Sequence, residues 1–594
     1  MKEPFKIVQV TANARLNEGD YIYRIHQPGA AMGRIPGVVV VNTSILSPHL
    51  EILCRCADLL ILHLTWEPDL LPIVDERKKR GLATVYEISD NFTALPPSVN
   101  FELSFSNPVC LGTVFQLIRM ADAAQGVSQV LLDRFSFLNP RRVVFENQIA
   151  LPGPPPGPPG GEITIGWGGS LGHTEDLKAV APVIRDVLRS YPFVRFSFMG
   201  NRRQFEEVFG SHDDPRLLYR QGGSLEDYFR FLDELDVGIA PLAPTAFNLC
   251  RSDVKFIEYG SRGVVPVLSR VGPYLKNARE GQTALFFEDA STLHTVLDRL
   301  LRTPSLIFQL ARNAHRYVMQ NRLEDDHAAQ RVRFYQSLCR VRSEEELPFD
   351  ALEQVPGTRL YYSRVSEAEA KTVQGIDLWN HGEKAEALAL WKEACRLMPA
   401  YYHPALLRAY AGDKDGTDRL SDLQRAHPKS LRLRMLQGQA LRDEDPERAA
   451  KAFEEALAIF SDFAPAWVEI AGLEKRKGDA EGAARILDRA LERNPFDAAA
   501  AHALGGIYAS QGKTDLAAQA FRVALDLIPD NHTYRLDLIQ ALTEEGALGE
   551  AIEVCRDHLE KHPGDRQVAE ILSAILRFCG QEEAAREVLR FAGF

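Results

Sequence analysis

Four alanines, Ala483, Ala517, Ala551 and Ala585, follow one another at intervals of 34 residues. No other feature restricts the fold of this chain so severely, because only a repeated structural unit holds a fixed step over several copies. The clearest copy also carries Leu504, Gly505, Tyr508, Gly512, Phe521, Ala524 and Pro529; the copy before it carries Trp467, Ile470, Ala471, Gly478, Leu487, Ala490 and Pro495. Spacings of three and four belong to helix faces. A glycine marks the turn inside each copy and a proline ends its second helix. Each copy therefore reads as a pair of helices whose small residues let them approach closely. Weaker copies run from Gly375 to Pro399, from Leu436 to Ala456, and from Leu538 through Pro563 to Leu589, with residues 402–428 as a shortened one. The pattern covers residues 368–594.

The preceding part follows another rule. Apolar runs read as strands at 5–10, 38–41, 59–64 and 83–88, and RRVVFENQI supplies another. Helical patterns separate them, around 68–80 and 114–123, and a polar turn, TANARLNEGD, follows the first strand. Alternation of this kind implies a mostly parallel sheet covered by helices on both faces. The segment LPGPPPGPPGG, residues 151–161, permits neither helix nor central strand and reads as a semi-rigid hinge. A second alternating pattern starts at once, with strands at 162–167, FVRFSFMG, LLYRQ, 236–242, after Gly263, and at 283–287. The expected domains are 1–150, the hinge 151–161, 162–345, a linker 346–367, and the repeats. At 594 residues the chain is too long for one core in any case.

Composition removes several classes. A net charge of −12 argues against a general nucleic-acid or anionic-membrane binder. The eight cysteines are scattered without a metal-type CxxC pair, as expected of free thiols in a reducing compartment. The N-terminus has no signal-peptide pattern, and no apolar run is long enough to span a bilayer, so a cytoplasmic protein is expected.

Candidate chemistry concentrates in TAFNLCRSDVKFIEYGSRGVVPVLS, residues 245–269. Lys255 and Glu258 stand three apart, so one face of a short helix presents a cation and a carboxylate together. A cation there suits a phosphate and a carboxylate suits a sugar hydroxyl. Asp253 either orients Lys255, contacts the sugar, or is a plain acid at a helix start. The turn Gly168–Gly169–Ser170–Leu171–Gly172–His173 precedes a helix, where backbone amides favour an anion. His173 is a proton donor, a phosphate contact or a helix cap, and Arg202 is a phosphate contact or an ordinary exposed arginine. Ligands of such sheets lie beyond the carboxyl ends of the strands. That places Arg24, His26, His63, Glu67 and Asp90 toward the ligand in the first domain, with Asp90 as the acceptor-side base if the reaction inverts.

Two α/β halves joined by a proline-rich hinge, with GVVPVLS following Glu258, resemble the GT-B glycosyltransferases of the retaining group-1 type. The resemblance covers roughly residues 5–340 and implies two Rossmann-like domains with a nucleotide-sugar site between them. Glu258 then binds the donor ribose, while Gly168, Gly169, Ser170 and Lys255 receive the diphosphate. The family's first glutamate falls at Cys250 here, so the stereochemical outcome stays open. No cofactor and no essential metal is implied, since backbone amides and a lysine can take the cation's part. The 34-residue hairpins resemble tetratricopeptide repeats, whose concave groove holds peptides or partner domains. A transferase fused to such an array is similar in architecture to the O-GlcNAc transferases. A protein or surface-glycan acceptor held with help of the repeats is therefore expected; a homo-oligomer, or a non-catalytic scaffold with a degenerate transferase domain, is the alternative.

Overall fold

The computed structural model describes residues 3–12, 19–45, 47, 49–95, 107–210, 214–347, 353–354, 360–362, 367–399 and 402–593. Most of the polar turn after the first strand and most of the segment 346–367 lie outside these residues. The chain divides into two units. One comprises residues 1–65, 73–102 and 117–398, and the other 66–72, 103–116 and 399–594.

The first unit contains two parallel sheets. In the first sheet the strands are β1 (Phe5–Thr11), β2 (Val38–Ser44), β3 (Leu59–His63), β4 (Ala83–Ile88), β5 (Ala123–Gly126) and β6 (Arg142–Val144). The second contains β7 (Ile163–Gly168), β8 (Val194–Gly200), β9 (Leu217–Gln221), β10 (Val237–Ala240), β11 (Val265–Ser269) and β12 (Leu285–Phe287). A short pair, β13 (Glu353–Gln354) and β14 (Leu360–Tyr362), extends the first sheet, giving the order β13-β14-β2-β1-β3-β4-β5-β6; the second runs β12-β11-β10-β7-β8-β9. Both orders reverse direction beside their first strand, which opens a crevice at the carboxyl ends of the strands. Two doubly wound sheets in succession form the GT-B arrangement expected from the sequence.

Three details depart from the expectation. β5 (AAQG) has no β-branched residue, and only its place between β4 and β6 makes it a strand. Residues 346–367 contribute β14, which pairs in parallel with β2. The helix Glu324–Leu338, grouped by sequence with the second domain, buries Ala328, Val332, Tyr335 and Leu338 in the core of the first. Its apolar face matches the stripe that β1, β2 and β3 leave uncovered, so the chain returns to its starting domain.

The second unit is built on helix pairs from Tyr402–Tyr410 to Glu582–Phe591. Close approach is visible at Gly505: a Cβ there would come within 2.6 Å of the Phe521 ring, whereas one on Gly506 meets nothing within 4 Å. Alanine in place of helical glycine ordinarily gains about 1 kcal/mol, and overpacking costs about 1–3 kcal/mol. Gly505→Ala should thus destabilise this unit while Gly506→Ala stabilises it, as read by urea unfolding at 222 nm. Equal shifts for both would contradict the packing. The segments 66–72 and 103–116 cluster with these helices: Asn494 Nδ2 donates to Gln116 Oε1 at 2.9 Å, and a Cβ on Gly112 would lie 3.1 Å from the Asp497 carboxylate.

Candidate functional site

Glu258 lies on the helix Val254–Ser261 that leads into β11, and is 4% exposed. Gly263 ends that turn with φ +71°, and a Cβ on it would strike Pro156 of the hinge at 2.7 Å. The Glu258 carboxylate is a meeting point of the two sheet domains. Tyr23, from the first domain, donates its hydroxyl to Oε1 at 2.8 Å; Tyr228 donates to Oε2 at 2.8 Å, and Lys255 Nζ donates to the same oxygen at 2.9 Å. Lys255 also donates to the Tyr228 hydroxyl at 2.7 Å, with its nitrogen 4.7 Å from that ring's centre. Burial and the neighbouring carboxylate push both phenols well above the ordinary tyrosine range, so they stay protonated donors.

The glycine-rich turn serves this cluster sterically. A Cβ on Gly168 would lie 2.8 Å from the Tyr228 ring, so glycine at the end of β7 makes room for that tyrosine. The Gly169 amide donates to Met199 O at 3.1 Å and is committed within the fold, contrary to the expectation of a phosphate donor there. Ser170 is exposed beside it.

His173 is buried between two partners. Its Nδ1 is 3.0 Å from Asp176 Oδ2, and Arg251 Nη1 donates to its Nε2 at 2.6 Å. Asp176 is held by the Ala243 amide at 2.7 Å and by Asn248 at 3.1 Å. Burial, with Arg251 second, lowers the His173 pKa to about 4. The ring is neutral at ordinary pH and accepts from Arg251, an arrangement unlike the expected proton donor. Arg251, absent from the sequence-based candidates, is the residue this ring positions. It also stacks on Phe247 at 4.6 Å, and its Nε–H is buried without a partner. The signal was present in RSDVK, where a second cation stands four residues before Lys255.

Asp90 lies just beyond β4. Burial raises its pKa, while Arg251 and a hydrogen bond with Asp20 oppose the rise. Asp20 is likewise a residue the sequence reading missed.

Several expected site residues have other duties. Asp253 accepts two bonds from Arg322, at 2.6 and 2.9 Å, and one from Asn277 at 2.7 Å, so it neither touches Lys255 nor faces a ligand. Arg322 also donates to Asn147 O and Gln148 Oε1, which fastens the segment leaving the first domain. Arg24 is 1% exposed and donates to Glu87 at 2.7 Å and to Asn147 at 2.8 Å; it is a core ion pair rather than an acceptor contact. His63 is buried between Thr11 and Ser89. His26 stacks on Tyr21 at 6.1 Å, and burial lowers its pKa. Arg202 bonds Glu206 at 2.7 Å on an exposed helix face, over Tyr219. Glu67 belongs to the second unit, where Arg432 donates to it at 2.9 Å. Burial alone would raise its pKa, yet Arg432 and His403 hold it at about 2. Arg24, His26, His63 and Glu67 were placed by position past a strand end, and Asp253 by its place at a helix start; neither determines the direction of a side chain.

Burial, with Arg24 second, also lowers His63 to about 3. Unfolded histidines titrate near 6.5, so the unfolded chain binds more protons below that value. The stability these neutral rings allow is complete above about pH 6.5 and falls as pH drops toward 4, by up to about 1.4 kcal/mol per pH unit per ring. Urea unfolding of the full chain at pH 7.5 and 5.0 should reveal the loss, and His173→Asn should reduce its slope. Equal stability at both pH values would contradict two buried neutral imidazoles.

Family models described as tetratricopeptide repeat match residues 469–532 and 508–575. Residues 469–575 are tetratricopeptide repeats. No curated protein matches the chain in sequence. Among solved structures, the chain is similar to Anabaena Alr3699/HepE in complex with UDP, with 11% identity, 56% of this chain and 100% of that one covered, and a TM-score of 0.42. A sucrose-phosphate synthase from Thermosynechococcus elongatus has 13% identity over 56% of this chain and 99% of its own, with a TM-score of 0.41. The repeats are similar to YrrB, a TPR protein with an unusual peptide-binding site, at 19% identity over 30% of this chain and 91% of that one, with a TM-score of 0.26. Among the described residues, no helix is long and apolar enough to cross a membrane.

Proposed function

We propose that this protein is a glycosyltransferase that takes a sugar from a nucleotide-diphosphate donor. The observation that carries the reading is the buried Glu258 carboxylate paired with Lys255, with Arg251 near enough that its charge and that of Lys255 are both felt at His173. Two phenol hydroxyls on one carboxylate are chemically equivalent to two ribose hydroxyls, so Glu258 is arranged to accept what a ribose offers. A nucleotide entering there displaces at least one tyrosine. Lys255 and Arg251 neutralise the diphosphate that departs, the charge that grows most during glycosyl transfer. Asp90, with Asp20 beside it, is the acceptor-side carboxylate. These two cations do the electrostatic work, and transfer is proposed to need no metal. The repeats hold the acceptor, a protein or surface glycan.

One observation favours a non-catalytic scaffold instead: both oxygens of Glu258 already accept hydrogen bonds, and Cys250, 4% exposed, stands where the enzymes this stretch resembles have a glutamate. Thermal-shift and hydrolysis screens of the full chain with UDP-, GDP-, dTDP- and CMP-sugars separate the readings. Stabilisation and slow hydrolysis with one nucleotide class are expected. No response to any of them would leave the scaffold reading standing.

A further inference from the structure

A histidine pair and a carboxylate in the last repeats form a cluster unrelated to the crevice. His532 opens the helix His532–Glu545, His558 lies near the end of Leu548–Lys561, and Asp565 is the N-cap of Arg566–Phe578. One ligand atom from each lies within 4.8 Å of the others. Asp565 divides its two oxygens. Oδ1 accepts from the Val568 amide at 3.2 Å, while Oδ2 is 2.7 Å from His558 Nε2 and 3.5 Å from His532 Nδ1. The cap fixes the carboxylate, so Oδ2 is a preset ligand.

The tautomer of His532 carries the argument further. Its Nε2 lies 3.2 Å from Gln567 Oε1, which can only accept, so the proton sits on Nε2. In the neutral ring Nδ1 then presents a lone pair toward a carboxylate oxygen, and two acceptors face one another across 3.5 Å. A proton on Nδ1 or a metal ion between them resolves that opposition. An outer partner that fixes the tautomer and leaves the other nitrogen bare is the usual setting of a metal-binding histidine. His558 is buried with its Nδ1 unpartnered, and it meets Asp565 through Nε2 alone.

We propose that His532, His558 and Asp565 bind a divalent transition metal of the zinc type and fasten three successive helices of the last repeats together. Zinc bonded at about 2.0–2.1 Å in a tetrahedron sets its ligand atoms about 3.3–3.5 Å apart. The His532–Asp565 separation already meets this, and the His558–Asp565 one opens by about half an ångström. Two imidazoles and one carboxylate suit zinc or its neighbours better than magnesium or calcium. With His532 partly exposed, the fourth position opens to water.

The test is a titration of the full, tag-free, EDTA-stripped chain with Co²⁺, read by visible absorption, followed by displacement with Zn²⁺. One equivalent should bind and raise the melting temperature of the repeats. His532→Gln, which removes a partly exposed ligand without touching the core, and Asp565→Asn, which keeps the helix cap, should each weaken binding at least tenfold with unchanged ellipticity at 222 nm. Absence of a one-equivalent site, or variants that bind as tightly as the parent, would overturn the proposal.

Discussion

Replacing Glu258 by glutamine is expected to lower kcat/KM for the sugar donor by about 100-fold or more, the scale on which a preset electrostatic contact acts. The substitution keeps the shape of the side chain and removes its charge. Lys255 then loses its ion-pair partner while keeping the Tyr228 hydroxyl, and its amine is no longer held by a charge. Initial rates of donor turnover, with donor affinity from calorimetry, provide the measurement. Tyr23→Phe is the informative companion. It removes the hydroxyl that occupies Oε1, so donor affinity should hold or rise. A loss for Tyr23→Phe as large as that for Glu258→Gln would mean that the cluster only joins the two domains, and the donor-site assignment would fail.

The largest stability effect is expected at Arg322. Arg322→Met should destabilise the first unit by about 3–5 kcal/mol, because it leaves the Asp253 carboxylate buried without its bidentate partner. Removing both charges, as Arg322→Met with Asp253→Asn, should recover more than half of that loss, since an unpaired buried charge costs more than an absent pair. Denaturant unfolding of the two single variants and the double one gives the coupling. Simple additivity would mean that the pair is not the fastening described above.

Those two expectations indicate what a reader of the sequence could and could not reach. The alternation of apolar runs and helical patterns places eleven strand segments into two sheets because buried parallel strands are mostly apolar, and it misses AAQG, an interior strand with no apolar run to mark it. The 34-residue step gives the repeats because close helix packing tolerates only small residues at the crossings, as Gly505 against Phe521 illustrates. Lys255 and Glu258 are legible as a pair because three residues of helix fix their separation, and they lie 2.9 Å apart. Asp253 was not legible in the same way. Its partner Arg322 is 69 residues away, and only the tertiary fold brings them together. Tyr228 was hidden for the same reason, since an aromatic residue in a helical pattern reads as core. Arg24 and His63 sit where ligand-facing residues belong, yet a strand end such as His63, or a helical turn such as the one bearing Arg24, directs side chains inward as readily as outward.

The membership of residues 66–72 and 103–116 in the second unit has a consequence for synthesis. Glu67 leaves the ribosome 365 residues ahead of Arg432. At about 5–20 residues per second that is a wait of roughly 20–70 s. Throughout it the nascent chain carries a carboxylate and a buried-to-be cysteine, Cys110, with no partner yet made. Translation speed, and any holding factor that shields this early segment, should therefore govern the yield of native protein more strongly than they would for a domain whose contacts are local.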